Sequence, residues 1–239
     1  METSDQTQMT SLVLVFADCG SAISEDRFNK WYCEEHAPAR LTIPGFLSAT
    51  RYKATDGQKA AWLTAYDIAS PDVADCDLYK QLMTNASDNE KEILAKMEFL
   101  NRRVYEPISV LAHSHAQPSL LPGKYLLVVS MKIPDAAVPA FHKWYEEEHM
   151  VLLSKVPGWL RGRRYKLLSS TIRQPEKQME VYKYLAVHEF DHDGYMDTPE
   201  FQHAVGTPWR AEVVKNVIAR EFRNFELTTD FGKSKSSVN

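Results

Sequence analysis

Two nine-residue segments carry the side chains best suited to acid–base chemistry. They are Phe28-Asn29-Lys30-Trp31-Tyr32-Cys33-Glu34-Glu35-His36 and Phe141-His142-Lys143-Trp144-Tyr145-Glu146-Glu147-Glu148-His149. On a helix of 3.6 residues per turn, Phe28, Trp31, Tyr32, Glu35 and His36 form one stripe, and Phe141, Trp144, Tyr145, Glu148 and His149 repeat it. A stripe that starts aromatic and ends in a carboxylate and an imidazole sets ionisable groups against the core, where burial and neighbours move a histidine pKa across neutrality. His36 and His149 are therefore candidate general acid–bases, and Tyr32, Tyr52, Tyr145 and Tyr165 candidate hydroxyl donors to a carbonyl or phenolate oxygen. Glu35, Glu148, Trp31, Trp144, Arg51 and Arg164 complete the set as candidate substrate-binding groups. The same histidines have a structural reading: an imidazole at a helix C-terminus caps the last carbonyls and complements the dipole. Glu34 and Glu147 fall off the stripe and are expected in water.

The elements that position these residues occur twice. A shift of 113 positions superposes 28–53 on 141–166 with 13 of 26 residues identical and no gap, where unrelated segments share about one or two. The shift maps Pro44-Gly45 onto Pro157-Gly158 and Arg51-Tyr52-Lys53 onto Arg164-Tyr165-Lys166. Each copy reads β-α-β-β-α-β, the split-βαβ unit. The strands are expected over Ser11–Ala17, Trp62–Ile68 and Val104–Leu111, then Lys124–Lys132, Val181–Glu189 and Ala219–Thr228. A further strand follows each Pro-Gly. The second helices are expected over 75–84 with 89–101, and over 198–217. Leu168–Gln178 reads as a polar insertion. The division is then a first repeat over 11–111, a linker over 112–122, a second repeat over 123–231, and flexible tails at 1–10 and 232–239. Two such α+β units can pack their sheets together as an intramolecular, pseudo-dimeric α/β barrel. A monomer or a weak homodimer follows. Arg51, Lys53, Arg164 and Lys166 alternate on a strand, and a solvated or edge-guarding face is their expected setting; the denser run Arg161–Arg164 could clamp a carboxylate. Trp62, Trp159 and Trp209 could line a flat aromatic pocket.

Phe-x-x-Trp-x-x-x-His followed by Pro-Gly and Arg-Tyr resembles the EthD-like branch of the dimeric α/β-barrel (ferredoxin-like) superfamily. Trp31, His36, Ala37, Pro38, Pro44, Gly45, Arg51 and Tyr52 carry the resemblance in the first copy. Trp144, His149, Pro157, Gly158, Arg164 and Tyr165 carry it in the second, where Met150-Val151 replaces Ala-Pro. It implies two ferredoxin-like repeats and a cofactor-independent lyase or isomerase of decarboxylase, dehydratase or cyclase type. The substrate would be a small aromatic or polyketide-like carbonyl compound, with a helix-end His as acid–base. The alternatives are a non-catalytic binding or accessory protein, and a haem-binding barrel with His188 or His203 as the proposed axial ligand.

Composition bounds the rest. With 28 basic and 32 acidic residues the net charge is −4, which gives no basic footprint for nucleic acid. No apolar run reaches the ~20 residues of a membrane helix. The Leu12–Ala17 run is too short and too acidic at its front for a signal peptide. Cys19, Cys33 and Cys76 are an odd set without metal-ligand spacing, so reduced thiols and a cytoplasmic setting are expected. His188-Glu189-Phe190-Asp191-His192 has the letters of a zinc-protease motif but sits on a strand pattern that ends in Asp193-Gly194, so no metal is expected. Nine glycines include no phosphate-cradling loop, so no nucleotide cofactor is expected either.

Overall fold

The computed structural model describes residues 8–113, 118–173 and 180–233. Most of the two expected tails, and parts of the expected linker and polar insertion, lie outside the described residues.

Among these residues eight strands follow in chain order: β1 Ser11–Asp18, β2 Phe46–Ala54, β3 Trp62–Ile68, β4 Phe99–Ala112, β5 Tyr125–Lys132, β6 Trp159–Arg173, β7 Tyr184–Phe190 and β8 Ala219–Lys233. Their hydrogen-bonded order is β1-β3-β2-β8-β5-β7-β6-β4, a closed antiparallel barrel. Six helices accompany them among the described residues. The first, α1, spans residues 25–41 and is α-helical over Glu25–Trp31, π-helical over Tyr32–His36 and α-helical again over Ala37–Leu41. Its counterpart α4 spans 138–153 as Val138–Trp144, a π turn at Tyr145–His149, and Met150–Leu153. The others are α2 Asp77–Thr84, α3 Asp88–Lys96, α5 Pro199–Val205 and α6 Pro208–Val214.

Contacts divide the chain into two units. Of the described residues, the first holds 10–106 with 167–173, 180 and 227–233; the second holds 8–9, 107–113, 118–166 and 181–226. In the first, β3 lies between β1 and β2, with Arg51 opposite Thr64 and Lys53 opposite Trp62. In the second, β7 lies between β5 and β6, with Arg164 opposite Ala186 and Lys166 opposite Tyr184. Side chains alternate across a strand. One face of the first sheet therefore gives Val13, Val15, Ala49 and Tyr66 to a core closed by Phe28, Trp31 and Tyr32 of α1 and Ile93 of α3. In the second, Leu127, Val129, Tyr184 and Ala186 meet Phe141, Trp144 and Tyr145 of α4 in the same way.

Several boundaries differ from expectation for local reasons. The helix expected to reach residue 101 ends at Lys96, because Met97 turns extended and Phe99–Leu100 pair with Asp18 and Ala17, so β4 starts five residues early. The helix expected over 198–217 breaks at Gly206; Thr207 then caps α6 from outside, with Pro208 at its first position. The expected insertion is strand as far as Arg173. β7 starts at Tyr184 rather than Val181.

The repeated Pro-Gly has a backbone cause. Gly45 and Gly158 have φ of +95° and +76°, a region that side chains other than glycine enter at a cost. A Cβ on Gly45 would stand 2.6 Å from Val73 Cγ2, whereas one on Gly57, at φ +70°, would meet nothing within 4 Å. Gly57→Ala isolates the backbone strain, about 1–2 kcal/mol. Gly45→Ala should cost more than Gly57→Ala, and urea unfolding midpoints of the two variants make the comparison.

Candidate functional site

The π turn organises both helices. The Ala37 amide donates to the Tyr32 carbonyl, and Met150 to Tyr145, each a five-residue step. The turn forms with Pro38 in one unit and Val151 in the other, so the proline is not its cause. It packs the His36 ring between Trp31 and Tyr32, at 4.5 and 4.8 Å between centroids, and stacks His149 on Trp144 at 4.4 Å. It also turns the preceding glutamates off the sheet-facing stripe that a regular α-helix gives them. Glu35 accepts from the Ser87 hydroxyl and from Asn89 Nδ2 (3.0 Å) at the start of α3. Glu148 accepts from Thr207 Oγ1 (2.6 Å) at the start of α6, and from Trp144 Nε1 (3.0 Å). Both carboxylates fasten one helix to the N-cap of another. Glu34 and Glu147 are exposed, as expected.

His36 is 6% exposed, and its Nδ1 lies 3.1 Å from Glu90 Oε1. Arg40 completes the cluster: Nη2 donates to the same Glu90 oxygen at 3.1 Å, and Nη1 to the His36 carbonyl at 2.9 Å. Burial, then the Arg40 charge, pulls the His36 pKa down to about 4. Burial alone would raise Glu90, but His36 and Arg40 outweigh it and hold the carboxyl at about 2. The charged pair is thus Glu90 with Arg40, and neutral His36 donates Nδ1–H to the carboxylate.

The second unit builds this corner differently. Leu153 stands at the place of Arg40 by the 113-residue shift, and Arg210 has the N-cap-relative position of Glu90. His149, 7% exposed, keeps an Nδ1 with no hydrogen-bond partner. Burial, His188 and Arg210 push its pKa down to about 3. His188 takes the register position of Tyr66, is buried, and is held at about 4 by burial and Arg164. Its Nδ1 accepts from Trp159 Nε1 at 3.3 Å, which leaves the proton of the neutral ring on Nε2. That is the wrong tautomer for a haem ligand bound through Nε2. His203, the other proposed axial ligand, is exposed on α5. The zinc-like letters also come apart: His188 and Glu189 lie on opposite faces of β7, and Glu189 is tied to Arg161 and Arg163 at 2.7 and 3.0 Å. Among the described residues no group of three or more His, Cys, Asp or Glu could hold a metal.

The arginines are where expectation and structure part most. Arg51 and Arg164 are 1% and 2% exposed, not solvated, because each strand turns them to the face that the aromatic helix covers. Arg51 stacks on Tyr32 (3.8 Å), Trp62 (4.5 Å) and Phe28 (5.1 Å); Nη2 donates to Asn29 Oδ1 at 2.9 Å and Nη1 to Thr64 Oγ1 at 3.4 Å. Arg164 lies over Tyr145 (4.1 Å) and Phe141 (5.4 Å). Its Nη2 is 2.7 Å from His142 Nδ1, while Nη1 has no hydrogen bond and stands 3.7 Å from the half-exposed Glu146 carboxylate. Beside it is a narrow crevice, too tight for a water-sized sphere, lined by Tyr145, Arg164 and Tyr165 with Phe141, Tyr184 and Ala186. The Tyr145 hydroxyl, raised to about 12 by burial, stays protonated there. Neither His36 nor His149 lines this cavity or the second described one, a 270 Å³ space beside Trp159 and Lys155. Tyr52 and Tyr165 are buried, and of the two only Tyr165 lines a described cavity. Trp31 and Trp144 are packed in their cores, Trp209 packs against the second core, and Lys53 is exposed with Glu25 at 2.7 Å.

No protein-family model and no curated protein matches the chain. Solved structures do. An anthrone oxidase-like protein superposes with a TM-score of 0.64 at 12% identity, covering 98% of this chain and 96% of its own. A putative monooxygenase from Fusobacterium nucleatum gives 0.55 at 7% identity, covering 95% of each chain. A putative monooxygenase from Lactobacillus acidophilus gives 0.54 at 12%, covering 95% of this chain and 98% of its own. The chain shares the fold of these structures. These neighbours are named for oxidative chemistry, which overturns the expectation of a lyase or isomerase. Among the described residues no helix is long and apolar enough to cross a membrane.

The buried histidines and their partners set two measurable properties. Glu90→Ala leaves Arg40 without its carboxylate and should destabilise the fold by about 3–5 kcal/mol in urea unfolding. His36, His149 and His188 have folded-state pKa values below the ordinary 6.5. The unfolded chain therefore binds more protons as pH falls from 6.5 toward 4, and stability present above 6.5 is lost in that window, at up to about 1.4 kcal/mol per pH unit for each histidine. Thermal unfolding between pH 7.5 and 5 should show the fall, and His188→Gln should flatten it.

Proposed function

We propose that the chain is an oxidative enzyme built from two ferredoxin-like repeats, 11–111 and 123–231, of the EthD-like type. Its working site is the Arg164 cavity of the second unit. The observation that carries this reading is a buried guanidinium whose Nη1 has no hydrogen bond, facing an aromatic-lined cavity. A cation so placed favours an anion formed on a small ring compound, a phenolate or the enolate of a ring ketone. Tyr145, protonated at neutral pH, can donate a second hydrogen bond to the same oxygen. The names of the structural neighbours support oxidation as the reaction class.

For a ring methylene next to a carbonyl system, the methylene and one molecule of dioxygen give a new ring carbonyl and one molecule of water. A C–H proton leaves to water and Arg164 holds the enolate oxygen. The carbon electron pair then reduces dioxygen, with formation of a C–O bond. Loss of the second C–H proton breaks the O–O bond and releases the other oxygen as water. Arg164 and Tyr145 contribute by making the anion easier to form, which is electrostatic stabilisation at fixed positions. The cavity does not admit a water-sized sphere, so binding a ring requires its side-chain walls to move apart.

Oxygen uptake by the full chain with anthrone tests this reading. Arg164→Met should lower kcat/KM about a hundredfold, since truncating one partner of a buried charged hydrogen bond costs about 2–5 kcal/mol. Uptake unchanged in Arg164→Met, or a wild-type protein inert to anthrone and to simple phenols, would sink it.

A further inference from the structure

The two units hold the same arginine on the same strand position against the same helix, yet only one arginine faces a described cavity. The strand register shows where they differ. Thr64 lies opposite Arg51 where Ala186 lies opposite Arg164, and Trp62 lies opposite Lys53 where Tyr184 lies opposite Lys166. In the first unit the Thr64 hydroxyl accepts from Nη1 and the Trp62 indole covers the guanidinium at 4.5 Å. In the second, alanine offers no acceptor, so Nη1 is left without a hydrogen bond. The tyrosine ring is smaller than indole, and with Ala186 it lines the cavity. Neither described cavity reaches Arg51. The remaining partners are matched: Asn29 and His142 occupy equivalent positions on the helix, and each bonds its arginine's Nη2. Arg51 retains one unbonded nitrogen, Nε, but both its Nη groups are engaged.

We infer that the residue pair on the central strand decides which arginine can take an anion. Ala186 and Tyr184 open the Arg164 site, while Thr64 and Trp62 close an otherwise equivalent site at Arg51. This rests on the proposed reading of the Arg164 cavity and adds to it which residues set its selectivity. The ligand class is a small aromatic oxyanion, because the opening is walled by rings and ends on a guanidinium. Glu146, 3.7 Å from Nη1 and half exposed, is the competing anion that a ligand displaces.

The test is the number of sites, with 4-nitrophenolate as probe at pH 8, titrated calorimetrically into the full chain. The wild type should bind one equivalent, and Arg164→Met none. Trp62→Tyr with Thr64→Ala should bind two, and the same pair combined with Arg164→Met should bind one, at Arg51. The converse pair, Tyr184→Trp with Ala186→Thr, should bind none while its circular dichroism matches the wild type. If that variant does not fold, the first-unit pair alone carries the test. One equivalent in Trp62→Tyr/Thr64→Ala overturns the inference and leaves the Arg164 site standing. A wild type that binds no probe overturns the Arg164 reading itself, and the inference with it.

Discussion

A guanidinium packed among aromatic rings and removed from water is the constraint on which each unit is built. Burying an isolated charge is prohibitive, so every surrounding choice compensates for it. The helix presents Phe and Tyr at the heights where their faces receive Arg51 or Arg164. One polar residue on the same helix, Asn29 or His142, supplies an acceptor. What lies on the central strand then settles how much of the cation is neutralised. The first unit engages both Nη groups of its arginine and covers it with indole, leaving only Nε unbonded. The second leaves Nη1, beside the cavity, without a hydrogen bond and with only a half-exposed carboxylate 3.7 Å away, and a buried cation so placed is what an anion site requires.

The π turn solves a related geometric problem. An ordinary helix would carry Tyr, Glu and His toward the sheet together and leave a carboxylate in the aromatic layer. The wider turn keeps the tyrosine and histidine inside and hands the glutamate to the neighbouring helix start. The second helix of each half is thereby fixed to the first by a side-chain cap instead of by apolar contact alone. In the first unit a buried carboxylate on that helix, Glu90, reaches back to His36 and Arg40, so the two helices are cross-linked in both directions.

How far this was readable in the sequence depends on the range of the interaction. The order of elements and the paired positions 51/164 and 29/142 follow from the 113-residue shift, because they belong to one continuous matched block. Burial of the arginines was not readable. Alternation tells which residues share a face, but not that the face is covered by rings able to accept a cation. The π turn was hidden because Tyr-x-x-x-His is four apart in either helix type. Glu90 was hidden because its partners lie 54 and 50 residues away on another helix; its only local mark was the Ser87-x-x-Glu90 spacing of a capping box, and the structure sends that glutamate into the core. The helix end at Met97 was obscured by apolar residues on both sides, which suit a helix as well as a strand. The break at Gly206 had a legible signal in Gly-Thr-Pro.

The composition of the first unit bears on how the chain is made. Residues 227–233 belong to it, and Thr228 Oγ1 donates to the carbonyl of Arg51 at 3.0 Å, on the outer side of β2. A ribosome delivers Arg51 177 residues before that partner emerges. Through most of synthesis, therefore, the strand that carries a buried cation has an open edge, and open edges invite pairing with other chains. The half of the protein that is translated first is completed last.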